Sequence, residues 1–247
     1  MVAETEQGLQ KIMSALEDTS KTYGMKINTK KTKVMIVSRN KGKQAQIVVG
    51  GQVIEQVDKF KYLGVWITED GKCELEIKTR IALAKDAFTK RRELMTKGLN
   101  RETKKRIIKS LVWSVALYGS ETWTLRKEEK RRIDALEMWL WRRMERISWT
   151  DRVRNEDVLL RVGEKRMMLE KIVLRQKNWI GHVLRGDGML RDEIEGKMEG
   201  KRGRGRPRIG MLDVLLDKGS YWEMKRKSQD RTSWRLRMPR TCRETEH

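Results

Sequence analysis

Apolar residues return at helical spacing from the start of the chain. Leu9, Ile12, Met13 and Leu16, with polar residues between them, predict an amphipathic helix over residues 4–22. Gly24 after Tyr23 suits its stop. The period then shortens. Residues 33–37, 46–49 and 52–54 are short β-rich runs, and Gly50-Gly51 between the last two signals a hairpin turn. Residues 60–67 read by pattern as one more strand, closed by a turn at Thr68-Glu69-Asp70-Gly71. Helices dominate from there. Ile77, Ile81, Ala84 and Phe88 form one stripe. Ile107, Ile108, Leu111, Val112 and Val115 form a second, and Ile133, Leu136, Leu140 and Ile147 a third. Leu169, Ile172, Val173, Trp179, Ile180 and Val183 lie on a fourth long segment. No proline precedes Pro207, so none of these helices meets the strongest breaker. Asn155-Glu156-Asp157 predicts an N-cap and an acidic first turn. A short apolar helix is expected over 211–216, and residues 219–247, polar and basic, are expected to be poorly ordered.

The pattern implies an α+β fold that is mostly α. An N-terminal helix and a small antiparallel strand set occupy residues 1–72. A helical bundle follows at 73–150, a further helical region at 151–199, and a basic, partly disordered tail at 200–247. No internal repeat is visible.

Charge changes the picture more than length does. The 247 residues carry 57 Lys and Arg against 35 Asp and Glu, a net charge of +22. The 38% of hydrophobic residues still suffices for a core. Basic residues are spread along the whole chain, which favours nucleic acid over a membrane surface, since phosphates release condensed counterions when Lys and Arg approach. Cys73 and Cys242 are far apart with no CxxC partner, so neither a disulfide framework nor a zinc site is indicated and a reducing, intracellular setting is expected. No run of about 18 apolar residues spans a membrane. The first residues lack the basic-then-apolar order of a signal peptide.

Several local features bear on nucleic acid. Arg202, Arg204, Arg206 and Arg208 lie in Gly-Arg-Gly-Arg-Pro-Arg, which resembles the core of an AT-hook, an extended strand that places arginines in a narrow A·T minor groove. A nuclear-import patch and a solvated linker are the rival readings. Lys104, Lys105, Arg106 and Lys109 form a basic helical face that could track phosphates or remain solvated. Trp139, Trp141 and Trp149 cluster in sequence, and packing is the preferred reading over base stacking. His182 has no second ligand nearby and is read as structural.

Three segments together resemble the reverse transcriptases of non-LTR (LINE-type) retrotransposons. Residues 23–35, Tyr-Gly-Met-Lys-Ile-Asn-Thr-Lys-Lys-Thr-Lys-Val-Met, resemble the family's fourth palm motif. Phe60-Lys61-Tyr62-Leu63-Gly64-Val65 resembles the primer-grip hairpin that follows it. Tyr118-Gly119-Ser120-Glu121-Thr122-Trp123 resembles the thumb. Trp179-Ile180-Gly181-His182-Val183-Leu184-Arg185 and the arginine segment resemble the region beyond it. The resemblance runs from about residue 3 to about 216. It implies that residues 1–72 are a palm remnant and that 73–150 is thumb-like. It also makes Lys31 a nucleotide-proximal candidate and gives Phe60, Lys61, Tyr62, Leu63 and Gly64 a role in positioning a primer end. Read from the residues alone, Lys31 belongs to a solvated basic loop. Phe60, Tyr62 and Leu63 are then ordinary strand residues in or near the core, and Gly64 marks a close backbone approach.

The departure from the family is in the metal site. In the family a pair of adjacent aspartates, with a third upstream, holds two magnesium ions ahead of the helix that begins here near Glu4. This sequence has no adjacent aspartate pair, and Asp18, Asp58 and Asp70 do not fit the pattern. Met1 then reads as an internal methionine used as a start, or as the edge of a degraded copy. The chain alone is expected to be inactive as an RNA-directed DNA polymerase, to hold no cofactor and to take no small-molecule substrate. It is expected to bind a template–primer duplex or A·T-rich DNA, and to be nuclear. The alternative is a co-opted, non-enzymatic DNA-binding protein that uses the arginine segment.

Overall fold

A computed structural model describes residues 1–38, 42–96, 98–195, 210–216 and 220–236. The α+β, mostly helical architecture expected from the pattern is present, and the chain forms two compact units, Met1–Glu76 and Ile77–His247.

The first unit opens with helix α1 (Glu6–Thr22), capped by Thr5, whose Oγ1 accepts the Gly8 N–H at 3.0 Å. Strands β1 (Val48–Val49) and β2 (Gln52–Val53) pair antiparallel around Gly50-Gly51. Both glycines have positive φ (59° and 76°), the backbone a two-residue hairpin turn requires, so that signal was read correctly. Met13, Val34, Ile47, Val49 and Ile54 form a small core with Leu9, Ile27 and Ala45 against it. Gln10 ties α1 to the hairpin by accepting the Val48 N–H (2.8 Å) and donating to the Val48 carbonyl (2.9 Å). Only part of the predicted α1 stripe is used. Ile12 and Leu16 stay exposed, because the two-residue strands offer too little surface to cover them.

Two expectations change here. Residues 33–37 do not form a strand: Val34 alone makes a parallel bridge to Gln56, giving its N–H to Glu55 and accepting from Val57. Residues 60–67 are not one strand but a hairpin of β3 (Lys59–Tyr62) and β4 (Val65–Thr68), in register Lys59 with Thr68 through Tyr62 with Val65. Leu63 and Gly64 form its turn with φ of 48° and 84°. Gly64 is therefore a turn glycine, and Leu63 holds a left-handed conformation that a branched side chain adopts at a cost.

The second unit is helical. Helix α2 (Glu74–Lys90) runs into it, and a 3-10 turn at Arg92–Met95 follows. Helix α3 (Arg101–Ile107) continues through a π-turn, Ile108–Val112, into α4 (Trp113–Ala116). Then come α5 (Lys127–Met144), α6 (Asn155–Val162) and α7 (Met168–Arg185). The predicted stripes are core where their helices face inward: Ile77, Ala84, Phe88, Ile108, Val112, Ile133, Leu136, Leu140, Ile172, Val173 and Ile180 are all buried. Helix α6 begins one residue earlier than its capping signal suggests. Arg154 is the cap residue, and Asn155 instead accepts from Arg142 at 3.0 Å.

Helix α7 organises this unit. Its first turn is held by Glu137 of α5, a fully buried carboxylate that accepts the N–H groups of Met167 (2.9 Å) and Met168 (3.1 Å). Midway, buried Gln176 donates to the Trp123 carbonyl at 2.7 Å and Arg175 to the Leu117 carbonyl at 2.6 Å. These bonds seat the segment 118–123, which turns through Gly119 into the 3-10 turn Ser120–Thr122.

Beyond α7, helices α8 (Met189–Glu195), α9 (Met211–Leu216), α10 (Tyr221–Gln229) and α11 (Arg231–Leu236) build a second core of Val173, Ile180, Leu184, Leu215, Met224 and Trp234. Residues 211–216 form the predicted helix. The disorder expected from 219 onward is corrected over 220–236. Ser220 caps α10 by accepting the Glu223 N–H, Arg185 donates to the Ser228 carbonyl at 2.8 Å, and Gln229 donates to the Leu184 carbonyl at 3.1 Å.

Candidate functional site

The residues singled out in sequence fall in four places. Lys31 is exposed in a turn in which its own N–H donates to the Asn28 backbone and side-chain oxygens, both at 3.1 Å. Its neighbour Lys33 is tied to Glu55. Lys31 is thus the more available ammonium of the pair.

The β3–β4 hairpin is more exposed than a core strand. Phe60, Tyr62 and Leu63 are 36%, 57% and 73% exposed, so the expectation that they pack in or near the core does not hold. The hairpin carries its own support instead. Lys59 and Lys61, on one face of β3, sit 5.8 and 6.0 Å from the Trp66 ring centroid on β4. Glu76 accepts the Trp66 N–H at 2.8 Å. Beyond β4, Asp70 closes the turn with Lys72 and Thr68, and these hydrogen bonds hold its carboxyl at about 2. The result is a short, braced ribbon whose tip presents Tyr62 and Leu63 to solvent.

The basic run on α3 divides by side. Lys105 points inward and is 6% exposed. Its ammonium bonds to Glu102 at 2.5 Å, the Val162 carbonyl at 3.1 Å and Glu164 at 3.4 Å. The hydrogen bond to Glu102 is the main cause of its raised pKa. Lys109 also pairs with Glu164, at 2.6 Å. Arg106 is exposed and Lys104 half-buried, and these two are what the run offers to a phosphate. Helical spacing already separates 105 and 109 from 104 and 106, but the acidic partners lie up to 59 residues away at Glu164 and leave no local trace. Arg202, Arg204, Arg206 and Arg208 lie outside the described residues, as does Cys242.

The tryptophan expectation is met in part. Trp113, Trp123 and Trp141 are buried, whereas Trp139 is half-buried. Trp139 forms one wall of a cleft of about 850 Å³ between the end of α2, the 3-10 turn at 92–95 and the last two turns of α5. Arg92, Arg142, Arg143 and Arg146 line it, with Phe88 and Met95 as apolar floor. Sequence reading missed this site. Its signal was the run Trp139, Arg142, Arg143, Arg146, spaced to share one helix face.

Gly181 also gains an explanation. The Trp234 indole lies across it, so that a Cβ there would stand 2.2 Å from the indole nitrogen. That nitrogen donates to the Lys177 carbonyl at 3.1 Å. His182, the next residue, is exposed.

No cluster of three or more His, Cys, Asp or Glu side chains that could hold a metal occurs among the described residues. No helix among them is long and apolar enough to cross a membrane.

No protein-family model matches the chain, and no solved structure matches it. It is similar to a Caenorhabditis elegans protein described as uncharacterized and transposon-derived, with 27% identity over 194 residues, 75% of this chain and 68% of that protein. The chain is thus a distant homologue of a transposon-derived protein, and the likeness points to a transposon-related origin.

Proposed function

We propose that this chain is part of a non-LTR retrotransposon reverse transcriptase that keeps nucleic-acid-binding parts and lacks the metal-binding aspartates. In this reading the first unit is a palm remnant, the following helices are thumb-like, and the partner is a template–primer duplex in the nucleus. The observation that carries it is the β3–β4 hairpin. The segment that resembles a primer grip folds as a two-stranded ribbon with Tyr62 and Leu63 exposed at its tip, as a surface that meets a primer end must be. The exposed Ile12 and Leu16 on α1 fit a palm whose neighbouring elements lie elsewhere in the parent protein. The transposon-derived relative and the net charge of +22 agree with it.

The test uses the purified chain with a labelled RNA–DNA template–primer. Binding is expected at low salt, and to weaken steeply between about 50 and 200 mM salt as counterions compete. With magnesium and deoxynucleotides present, no primer extension is expected. Absence of binding at low salt overturns the nucleic-acid assignment, and nucleotide incorporation overturns the inactive one.

A further inference from the structure

The arginine cleft belongs to none of the segments that carry the resemblance. Its four guanidiniums converge from two places in the chain, Arg92 from the 3-10 turn, and Arg142 and Arg143 on α5 with Arg146 just beyond its end. None of the four has a carboxylate partner among the described residues, and no acidic side chain lines the cleft. The chain pairs its cations elsewhere: Arg101 with Glu145, Lys90 with Asp86 and Lys109 with Glu164. Four uncompensated cations in one concavity raise one another's electrostatic energy, and an anion entering there relieves that repulsion.

The walls narrow the choice of anion. Two guanidiniums are already oriented by the protein. Arg142 donates to the Val153 carbonyl at 2.6 Å and to Asn155, and Arg146 donates to the Met95 carbonyl at 3.4 Å. Arg92 and Arg143 are exposed. The Arg143 guanidinium carbon lies 5.4 Å from the Trp139 ring centroid, and Phe88 meets the same ring edge-on at 5.4 Å. Aromatic surface beside guanidinium planes suits a flat, uncharged ring next to a phosphate. The volume fits one or two nucleotides, and a duplex keeps its bases stacked and out of reach of such a pocket.

We infer that this cleft binds one unpaired nucleotide of a single strand, with its phosphate among Arg92, Arg143 and Arg146 and its base against Trp139. The inference rests on the nucleic-acid-binding reading above and adds a site and a strand type to it. The cleft acts as a seat for an unpaired end.

Fluorescence anisotropy of the full chain with fluorescein-labelled oligothymidylate, oligouridylate and a mixed-sequence DNA duplex tests it. Trp139→Ala should raise the single-strand Kd roughly fivefold or more, the usual scale for loss of one stacked base, with duplex binding changed less than twofold. Arg92→Gln combined with Arg143→Gln should do the same without touching buried structure, and Trp139→Phe should restore most of the affinity. The two single-strand probes separate RNA from DNA preference, and either preference supports the site. Single-strand affinity within twofold of wild type in both the Trp139→Ala and double-arginine variants overturns the inference while leaving the broader reading intact. So does an equal loss for single strand and duplex. If the wild-type chain binds none of the three probes, both readings fall.

Discussion

Gly181→Ala adds one methyl group to the C-terminal part of α7 and should undock α10 and α11. The Cβ would lie 2.2, 2.7 and 2.8 Å from three atoms of the Trp234 indole, closer than van der Waals contact allows, so the ring must leave. Trp234 is 3% exposed, and a buried tryptophan covers roughly 200 Å². At about 25 cal/mol per Å², full displacement costs as much as ~5 kcal/mol. Loss of the indole hydrogen bond to the Lys177 carbonyl adds about 1 kcal/mol. Against this, alanine favours the helix over glycine by only about 1 kcal/mol. Packing outweighs propensity, and even half-displacement leaves a net loss of ~2 kcal/mol. Amide exchange over 221–236 should accelerate and the melting temperature should fall. The decisive comparison is made in a Trp234→Ala background, where the same Gly181→Ala change should become stabilising by up to about 1 kcal/mol because only propensity remains. A single Gly181→Ala variant that melts at or above wild type with unchanged exchange over 221–236 would refute the assignment of this glycine.

Four other outcomes are expected. Lys105→Ala should lower stability in urea by about 2 kcal/mol, through its lost bonds to Val162 and Glu164, while Lys104→Ala and Arg106→Ala should leave stability unchanged and weaken duplex binding by anisotropy. Glu137→Ala should cost about 2–3 kcal/mol, because two N–H groups at the start of α7 lose a charged acceptor; equal urea midpoints for variant and wild type would contradict the cap. The Asp70 carboxyl, held at about 2 against an ordinary 3.8, stabilises the turn fully above its unfolded value and loses that contribution as pH falls through about 2. Carbon-13 NMR titration should show this, with the midpoint rising in Lys72→Met. Replacing Arg204, Arg206 and Arg208 by alanine should weaken binding to A·T-rich duplex, and unchanged affinity would remove that segment from the interface.

What was legible in the sequence follows from how local each cause is. The Gly50-Gly51 turn needs only the two residues that make it. The β3–β4 turn was hidden from the pattern because Leu63 extends the apolar run of its neighbours and holds a conformation usually left to Gly, Asn or Asp. The family resemblance, which reads two strands there, was the better guide. The C-terminal helices carried readable signals that composition obscured: Ser220 and Glu223 have capping spacing, and Met224 and Trp234 are apolar residues in a charged stretch. The inward turn of Lys105 was out of reach, since Glu164 comes from a distant part of the chain, and of the arginine cleft only the run from Trp139 to Arg146 was readable, since Phe88 and Arg92 lie far from it in sequence.

The packing of α10 onto α7 and α8 alters the standing of the arginine segment. Glu195, the last described residue before it, accepts from the Tyr221 hydroxyl at 2.8 Å and from Lys225 at 2.5 Å, both beyond it. The described residues on either side of 196–209 are therefore bonded to each other. A protease that cuts there leaves two pieces still gripping each other through the Trp234 slot and the Glu195 bonds, and the nicked protein should travel through gel filtration as one particle.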